Sequence, residues 1–139
     1  MSSRVPRLAV FPLMLAVSLV GARHAEAQAE ASISVSFAFP DGSAKSTSVT
    51  LAEVERLTGQ RPAYMLLPWV LAALKKLALA HTTETDTKGV VLTAIAGVTN
   101  GSQGTWVYSA NGHPSPYRLD TQTIEGISTV AFSYRERAP

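Results

Sequence analysis

Two side chains in the body of this chain could move a proton near neutral pH, His81 and His113. Imidazole catalysis needs a second group within reach that orients the ring and tunes its basicity. His113 stands in Asn111-Gly112-His113-Pro114, a turn in which an imidazole can simply face water. Asp120 and Glu125 follow it as the acids that a small hydrolase or lyase would have to recruit. No His-x-x-x-His pair, Gly-x-Ser-x-Gly elbow, phosphate-binding loop or paired-carboxylate helix accompanies them. The chain has no cysteine, which removes disulfides, thiolate metal sites, cysteine nucleophiles and iron–sulfur ligation together. Two histidines hold zinc only with carboxylate help, and no spacing here supplies it. We therefore expect no catalytic residue, no metal site and no enzyme.

The aromatic residues are the stronger candidates for contact with a ligand or partner. Trp106 and Tyr108 share one face of a predicted strand, with Val107 on the other. Packing at the edge of the core competes with the binding reading for this pair, because buried Trp and Tyr keep a polar tip partnered. Trp69 falls opposite the leucine stripe of a predicted helix, near Ala73 and Lys76. It serves either as an exposed contact or as packing beneath the preceding short helix. Tyr117, with Arg118 beyond Pro116, could extend a binding rim. The four candidate site residues are thus Trp69, Trp106, Tyr108 and Tyr117.

The first residues bear on where the protein works. Arg4 and Arg7 precede the apolar stretch Leu8 to Val20, and Ala25-Glu26-Ala27 follows with small residues around a cleavage point. That order is the pattern of a signal peptide, with cleavage expected after Ala27. A transmembrane anchor is the rival, but Leu8 to Val20 in a helix reaches only about 20 Å against a hydrocarbon core of about 30 Å. The chain of 139 residues carries 12 basic and 10 acidic side chains. Arg4, Arg7, Arg23 and Glu26 leave with the leader, so acids and bases balance in the mature protein. Nucleic-acid binding, which needs an excess of Lys and Arg, is not expected. The expected location is secreted or periplasmic.

The elements follow from patterning. Residues 28–32 read as a disordered lead-in and 33–139 as one domain. Ile33, Val35, Phe37 and Phe39 alternate with small residues and predict a strand. Pro40-Asp41-Gly42 predicts a hairpin turn, and Lys45 to Val49 a weaker returning strand. Thr50-Leu51-Ala52-Glu53 has capping-box spacing and opens a short helix through Leu57, stopped by Gly59 and Pro62. Leu67, Val70, Leu71, Leu74, Leu77 and Ala78 form the expected packing stripe of the main helix, with Pro68 in its first turn. Ala63 to Leu74 is too short before Lys75 and Lys76 to span a membrane, which takes ~20 residues. His81 to Lys88, polar and threonine-rich, reads as a loop. Strands are expected at Val90 to Ile95, Thr105 to Ala110 and Thr129 to Tyr134, with Asn100-Gly101 and Asn111-Gly112 as turns. Asn100-Gly101-Ser102 also matches a glycosylation acceptor, for which a hairpin turn is the more economical reading. The predicted class is α+β: a β-grasp-like mixed sheet with one main helix on one face and a short extra helix. The helical connection between the second and third strands would permit a parallel crossover.

Ala73-Leu74, Gly89, Ile95-Ala96-Gly97-Val98, Trp106-Val107-Tyr108, Asn111-Gly112 and Thr129-Val130-Ala131-Phe132-Ser133-Tyr134 together give a further lead. In these residues the chain resembles the transcobalamin-like C-terminal domain family, which has a β-grasp-type fold. Gly126-Ile127 departs from the Gly-Asp pair usual before that family's last strand. In vertebrate cobalamin carriers such a domain covers one side of the corrin, so the resemblance alone implies a corrinoid as a ligand to test. Plant-type ferredoxins are excluded by the missing cysteines, and sulfur carriers by an ending in Arg137-Ala138-Pro139 rather than Gly-Gly. The expected function is a non-catalytic binding module for a small molecule or protein surface. The alternative is a structural or accessory envelope protein acting through a sheet edge or the apolar helix. A hydrolase or lyase built on His113 ranks last.

Overall fold

Ile33, Val35 and Phe37 alternate with small residues, which gives a strand one apolar and one wet face. The computed structural model, which describes residues 31–60 and 64–138, shows this segment as strand β1 (Ser32–Ala38) with those three side chains buried. The leader expected over residues 1–27, residues 28–30 and Pro62 lie outside the described residues. β1 thus begins at Ser32, inside the segment read as a lead-in. At the turn, Asp41 Oδ1 accepts from the Ser43 N–H at 2.8 Å and the Ser43 hydroxyl at 2.6 Å. β2 (Ala44–Thr50) then returns antiparallel, with Thr47 opposite Val35 and Lys45 opposite Phe37.

Helix α1 (Leu51–Thr58) opens with the expected capping box. Thr50 Oγ1 accepts from the Glu53 N–H at 3.2 Å, and Glu53 Oε1 accepts from the Thr50 N–H at 3.1 Å. Gly59, at φ 74, closes the helix in the left-handed region. Helix α2 (Leu66–Lys76) has no such local cap, because its N-cap is Met65. The loop before the last strand does the work instead: the Leu66 and Leu67 N–H groups donate to the Gln122 and Leu119 carbonyls at 2.8 and 2.9 Å. At the other end Ala78, at φ 54, supports a Schellman arrangement with Leu79 N–H on the Leu74 carbonyl.

The buried face of α2 differs from the predicted stripe. Val70 and Leu74 are buried as expected, but they are joined by Leu66, Trp69, Ala72 and Ala73, while Leu67, Leu71 and Leu77 are only partly covered. The helix is apolar almost all round, so leucine positions alone could not fix its rotation. Trp69, at 1% exposure, is core and not an exposed contact. The two lysines are also more than a wet edge. Lys75 Nζ donates to the Leu57 carbonyl at 2.7 Å; Lys76 Nζ reaches the Ser48 carbonyl at 2.6 Å and pairs with Glu53 at 2.7 Å.

His81 to Asp86 is a strand, β3 (His81–Asp86), rather than a loop. It pairs antiparallel with β4 (Gly89–Ile95), which pairs with the short β5 (Val98–Thr99) in a second, three-stranded sheet. β3 lies at an edge and is wet along nearly its whole length, so no apolar alternation marks it. Its threonines are β-branched and suit the extended backbone all the same. The Ala96-Gly97 turn, with φ 50 and 83, supplies the two positive φ angles of a tight hairpin.

β6 (Gly104–Ala110), β7 (His113–Pro114) and β8 (Thr129–Glu136) complete the first sheet, in the order β2-β1-β8-β6-β7. β8 runs parallel to β1 and antiparallel to β6. The parallel pair therefore joins the first and last strands, and the helical connection leads into the other sheet. The result is an α+β fold with a β-grasp-like mixed sheet, helices on one face and a small second sheet added. Phe37, Val130 and Phe132 from the large sheet, Leu66, Trp69 and Leu74 from α2, and Leu92 and Ile95 from β4 share one core. No described helix is long and apolar enough to cross a membrane.

Candidate functional site

The two sheets are fastened by Asn100. Its Nδ2 donates to the Leu92 carbonyl of β4 at 3.3 Å, and its Oδ1 accepts from the Trp106 N–H of β6 at 2.7 Å. Asn100 and Gly101 do lie in the turn between β5 (Val98–Thr99) and β6, where the Gly101 N–H donates to the Gly104 carbonyl at 2.9 Å, but neither has the positive φ expected of an Asn-Gly hairpin. Asp120 adds a second tie, because its Oδ1 accepts from the Val90 N–H at 2.8 Å while the Leu119 N–H donates to the Val90 carbonyl at 3.2 Å. Gly89, at φ +135, sits where a Cβ would run into Asp120 Oδ1 and the Arg118 Cβ. Only glycine lets β4 approach this segment so closely.

Between these ties lies a cleft of about 430 Å³. Thr105, Val107 and Ser109 of β6 and their cross-strand partners Arg135, Ser133 and Ala131 of β8 line it from one face of the sheet, and Trp106, Tyr108 and Phe132 from the other. Val90, Val91 and Leu92 line it from β4, and the segment from Pro114 to Leu119 from above β7. Over Gly104 to Tyr108, β6 has a strand partner on one side only, since β7 pairs just with Ser109 and Ala110. That missing partner leaves the gap.

Three of the four candidate residues border this cleft, and Trp69 does not. Trp106 is 4% exposed; its indole donates to the Val98 carbonyl at 2.8 Å and its ring meets Phe39 and Tyr134 edge-on at 5.6 and 5.5 Å. It is a core-edge residue with its polar tip satisfied. Tyr108 stacks on Phe132 at 5.4 Å, donates its hydroxyl to the Tyr117 carbonyl at 2.6 Å and lies 3.1 Å from the Ser115 hydroxyl. Burial pushes its phenol above the ordinary value, with the Ser115 contact and the Arg118 charge pulling the other way. It is a neutral donor at pH 7, fixing the loop that carries Tyr117. Tyr117 itself is 58% exposed.

Arg118 and Asp86 form the charged end of the site, and sequence reading gave Arg118 only a place beside Tyr117. The Arg118 guanidinium donates through one Nη to Asp86 Oδ2 at 2.8 Å. Asp86 Oδ1 meanwhile accepts from the Lys88 and Gly89 N–H groups at 2.8 and 3.0 Å, closing the β3–β4 turn. These amides and Arg118 hold the Asp86 carboxyl below its usual value, backbone bonding to Lys88 contributing most. His113 is exposed in β7, and Asp120 is engaged by Val90. Among the described residues no group of three His, Asp or Glu side chains could hold a metal ion.

No protein-family model matches the chain, and no curated protein matches it significantly. Similar solved structures exist at the level of fold. One is a putative metal binding protein from Ruminococcus gnavus ATCC 29149, with a TM-score of 0.57 and 15% identity over 78% of this chain and 100% of that one. Another is haptocorrin in complex with Cbi, with a TM-score of 0.56 and 14% identity over 78% of this chain. The matched part is 26% of the haptocorrin chain. The resemblance noted from sequence is thus supported as likeness of fold.

Proposed function

We propose that this is an exported, non-catalytic binding module that takes a small, largely apolar molecule in the cleft between β4 and β6. The observation that carries the reading is the cleft itself: about 430 Å³, walled by Val90, Val91, Val107, Pro114, Pro116 and Tyr117, with arginines at its edge. Sites for small molecules are concave, mostly apolar and furnished with a few polar groups, and they run from about 300 to 1,000 Å³. The fold shared with haptocorrin supports binding as a use of this architecture, without carrying over a ligand. A corrinoid is one ligand to try. The cleft lies near the small end of the usual range, so a corrin macrocycle would be covered along one edge only.

Amide shift mapping by NMR tests the reading. Cobinamide and a set of small aromatic and aliphatic compounds are titrated into the protein. Shifts should cluster at Val91, Val107, Tyr117 and Arg118, and Val107→Trp, which fills the cleft, should abolish them. Shifts scattered over the surface, or binding that survives Val107→Trp, would remove the cleft as the site. Intact-mass analysis of the exported protein should find Gln28 as the first residue.

A further inference from the structure

We infer that the ligand of this cleft carries a carboxylate, which draws the Arg118 guanidinium away from Asp86. The inference rests on the cleft being the binding site and adds the chemical class of what binds.

The lining points to an anion. It contains Arg118 and Arg135 and no acidic side chain. Around the charge stand Tyr117, Pro114, Pro116 and Val91, surfaces that suit a flat apolar body. A molecule with an aromatic or branched body and one terminal carboxylate matches both features.

Arg118 is also held in a pose that uses little of its fork. One Nη donates to Asp86 Oδ2, and this pair is well exposed, 36% on the arginine side and 45% on the aspartate side. Exposed pairs of this kind contribute little. The Nε of the same side chain is buried and meets no acceptor among the described residues. A covered charged N–H without an acceptor carries the desolvation penalty in full. The resting pose therefore gains little through Nη and loses through Nε.

A carboxylate in the cleft removes that imbalance. Arginine binds carboxylates best along the edge formed by Nε and one Nη, with two parallel hydrogen bonds. Because Nε is covered at rest, the fork must swing about its stem to present that edge. With 36% of its surface open, the side chain has solvent on one side into which to turn. Asp86 is the competitor for the guanidinium, and its other oxygen stays on the Lys88 and Gly89 amides whichever way Arg118 turns.

The test compares naphthoate with its neutral amide, naphthamide, on the full mature chain by NMR shift mapping. The acid should bind about tenfold more tightly than the amide, as a charge-assisted bidentate pair allows. R118Q should bring the ratio of the two affinities close to one. D86N, whose remaining oxygen can still accept from the turn amides, should raise the ratio by about threefold by removing the competitor. Dispersed amide signals in both variants show that the fold is kept. Equal affinities in the unmodified protein, or a preference that survives R118Q, would overturn the carboxylate inference and leave the cleft standing. Failure of both compounds to shift the cleft residues would overturn the inference together with the cleft.

Discussion

The five-stranded and three-stranded sheets contribute to one core but are specified in different ways. In the large sheet, Ile33, Val35, Phe37, Val130 and Phe132 turn inward on adjacent strands while serines and alanines face out. β1 and β8 each carry their own apolar pattern, and the hydrophobic effect sets both their face and their register, while β2 buries Val49 alone and β7 is exposed. In the small sheet only Leu92 and Ile95 are buried, and β3 offers His-Thr-Thr-Glu-Thr-Asp, wet on both sides. Its place is set by polar ties from outside the sheet: Asn100 to Trp106, Asp120 to the Val90 N–H, and the Leu119 N–H to the Val90 carbonyl. The lesson is that apolar area builds the floor of this cleft, while hydrogen bonds position its opposite wall.

Truncations in the two sheets probe this contrast at its strongest. Phe132→Ala should cost about 3–5 kcal/mol of stability, read from the denaturant midpoint, because the ring stacks on both Phe37 and Tyr108. Leu92→Ala, at the one deep point of the small sheet with Ile95, should cost about 2–5 kcal/mol through the shared core. Faster amide exchange in β3 and β4 with an unmoved midpoint would show instead that the small sheet is an independent appendage.

The polar fastening is tested next. Asn100→Ala should cost about 1–3 kcal/mol, since it strands the Trp106 N–H and the Leu92 carbonyl at once. Ser102→Ala, which breaks the same glycosylation pattern without touching either bond, should stay within about 0.5 kcal/mol. Equal effects of the two would deny Asn100 its bridging role.

Acid stability tests the charged contacts of α1 and of the small sheet by a different route. The Lys76 hydrogen bond, with the Thr50 amide, lowers the Glu53 carboxyl below its ordinary value in the folded protein. A carboxyl lowered by folding stabilises above its unfolded pKa, and that stability is lost as pH falls through the folded value. Glu53→Gln should therefore flatten the acid side of the stability profile. D86N should do the same for the small sheet, because Asp86 is lowered as well. An unchanged profile in Glu53→Gln would show that the Lys76 bridge is not populated in solution. The smallest effect belongs to Thr85→Ala on the wet edge strand, within about 0.5 kcal/mol.

Local patterns made most of the large sheet and both helices legible. The alternation at Ile33 to Phe37, the Thr50–Glu53 capping box, and the Asn111-Gly112 turn act between residues close in sequence, and the structure shows each of them. The rotation of α2 was not legible, because leucines surround that helix and only the packing of α1 and the sheet chose Trp69 over Leu71. β3 was missed because an edge strand draws its stability from its neighbour's backbone and needs no apolar face of its own.

The site divides in the same way. Composition and spacing singled out Trp106, Tyr108 and Tyr117, all of which border the cleft, and set aside metal-thiolate chemistry through the absence of cysteine. Tertiary structure alone decided that Trp69 is core, that Asn100 bridges the two sheets from within its turn, and that Arg118 meets Asp86 across 32 positions of chain. Residue spacing determines which faces of a strand or helix can be apolar, because the backbone repeats over two or 3.6 residues. It carries no such signal for a hydrogen bond between distant residues, whose geometry exists only once the sheets have packed.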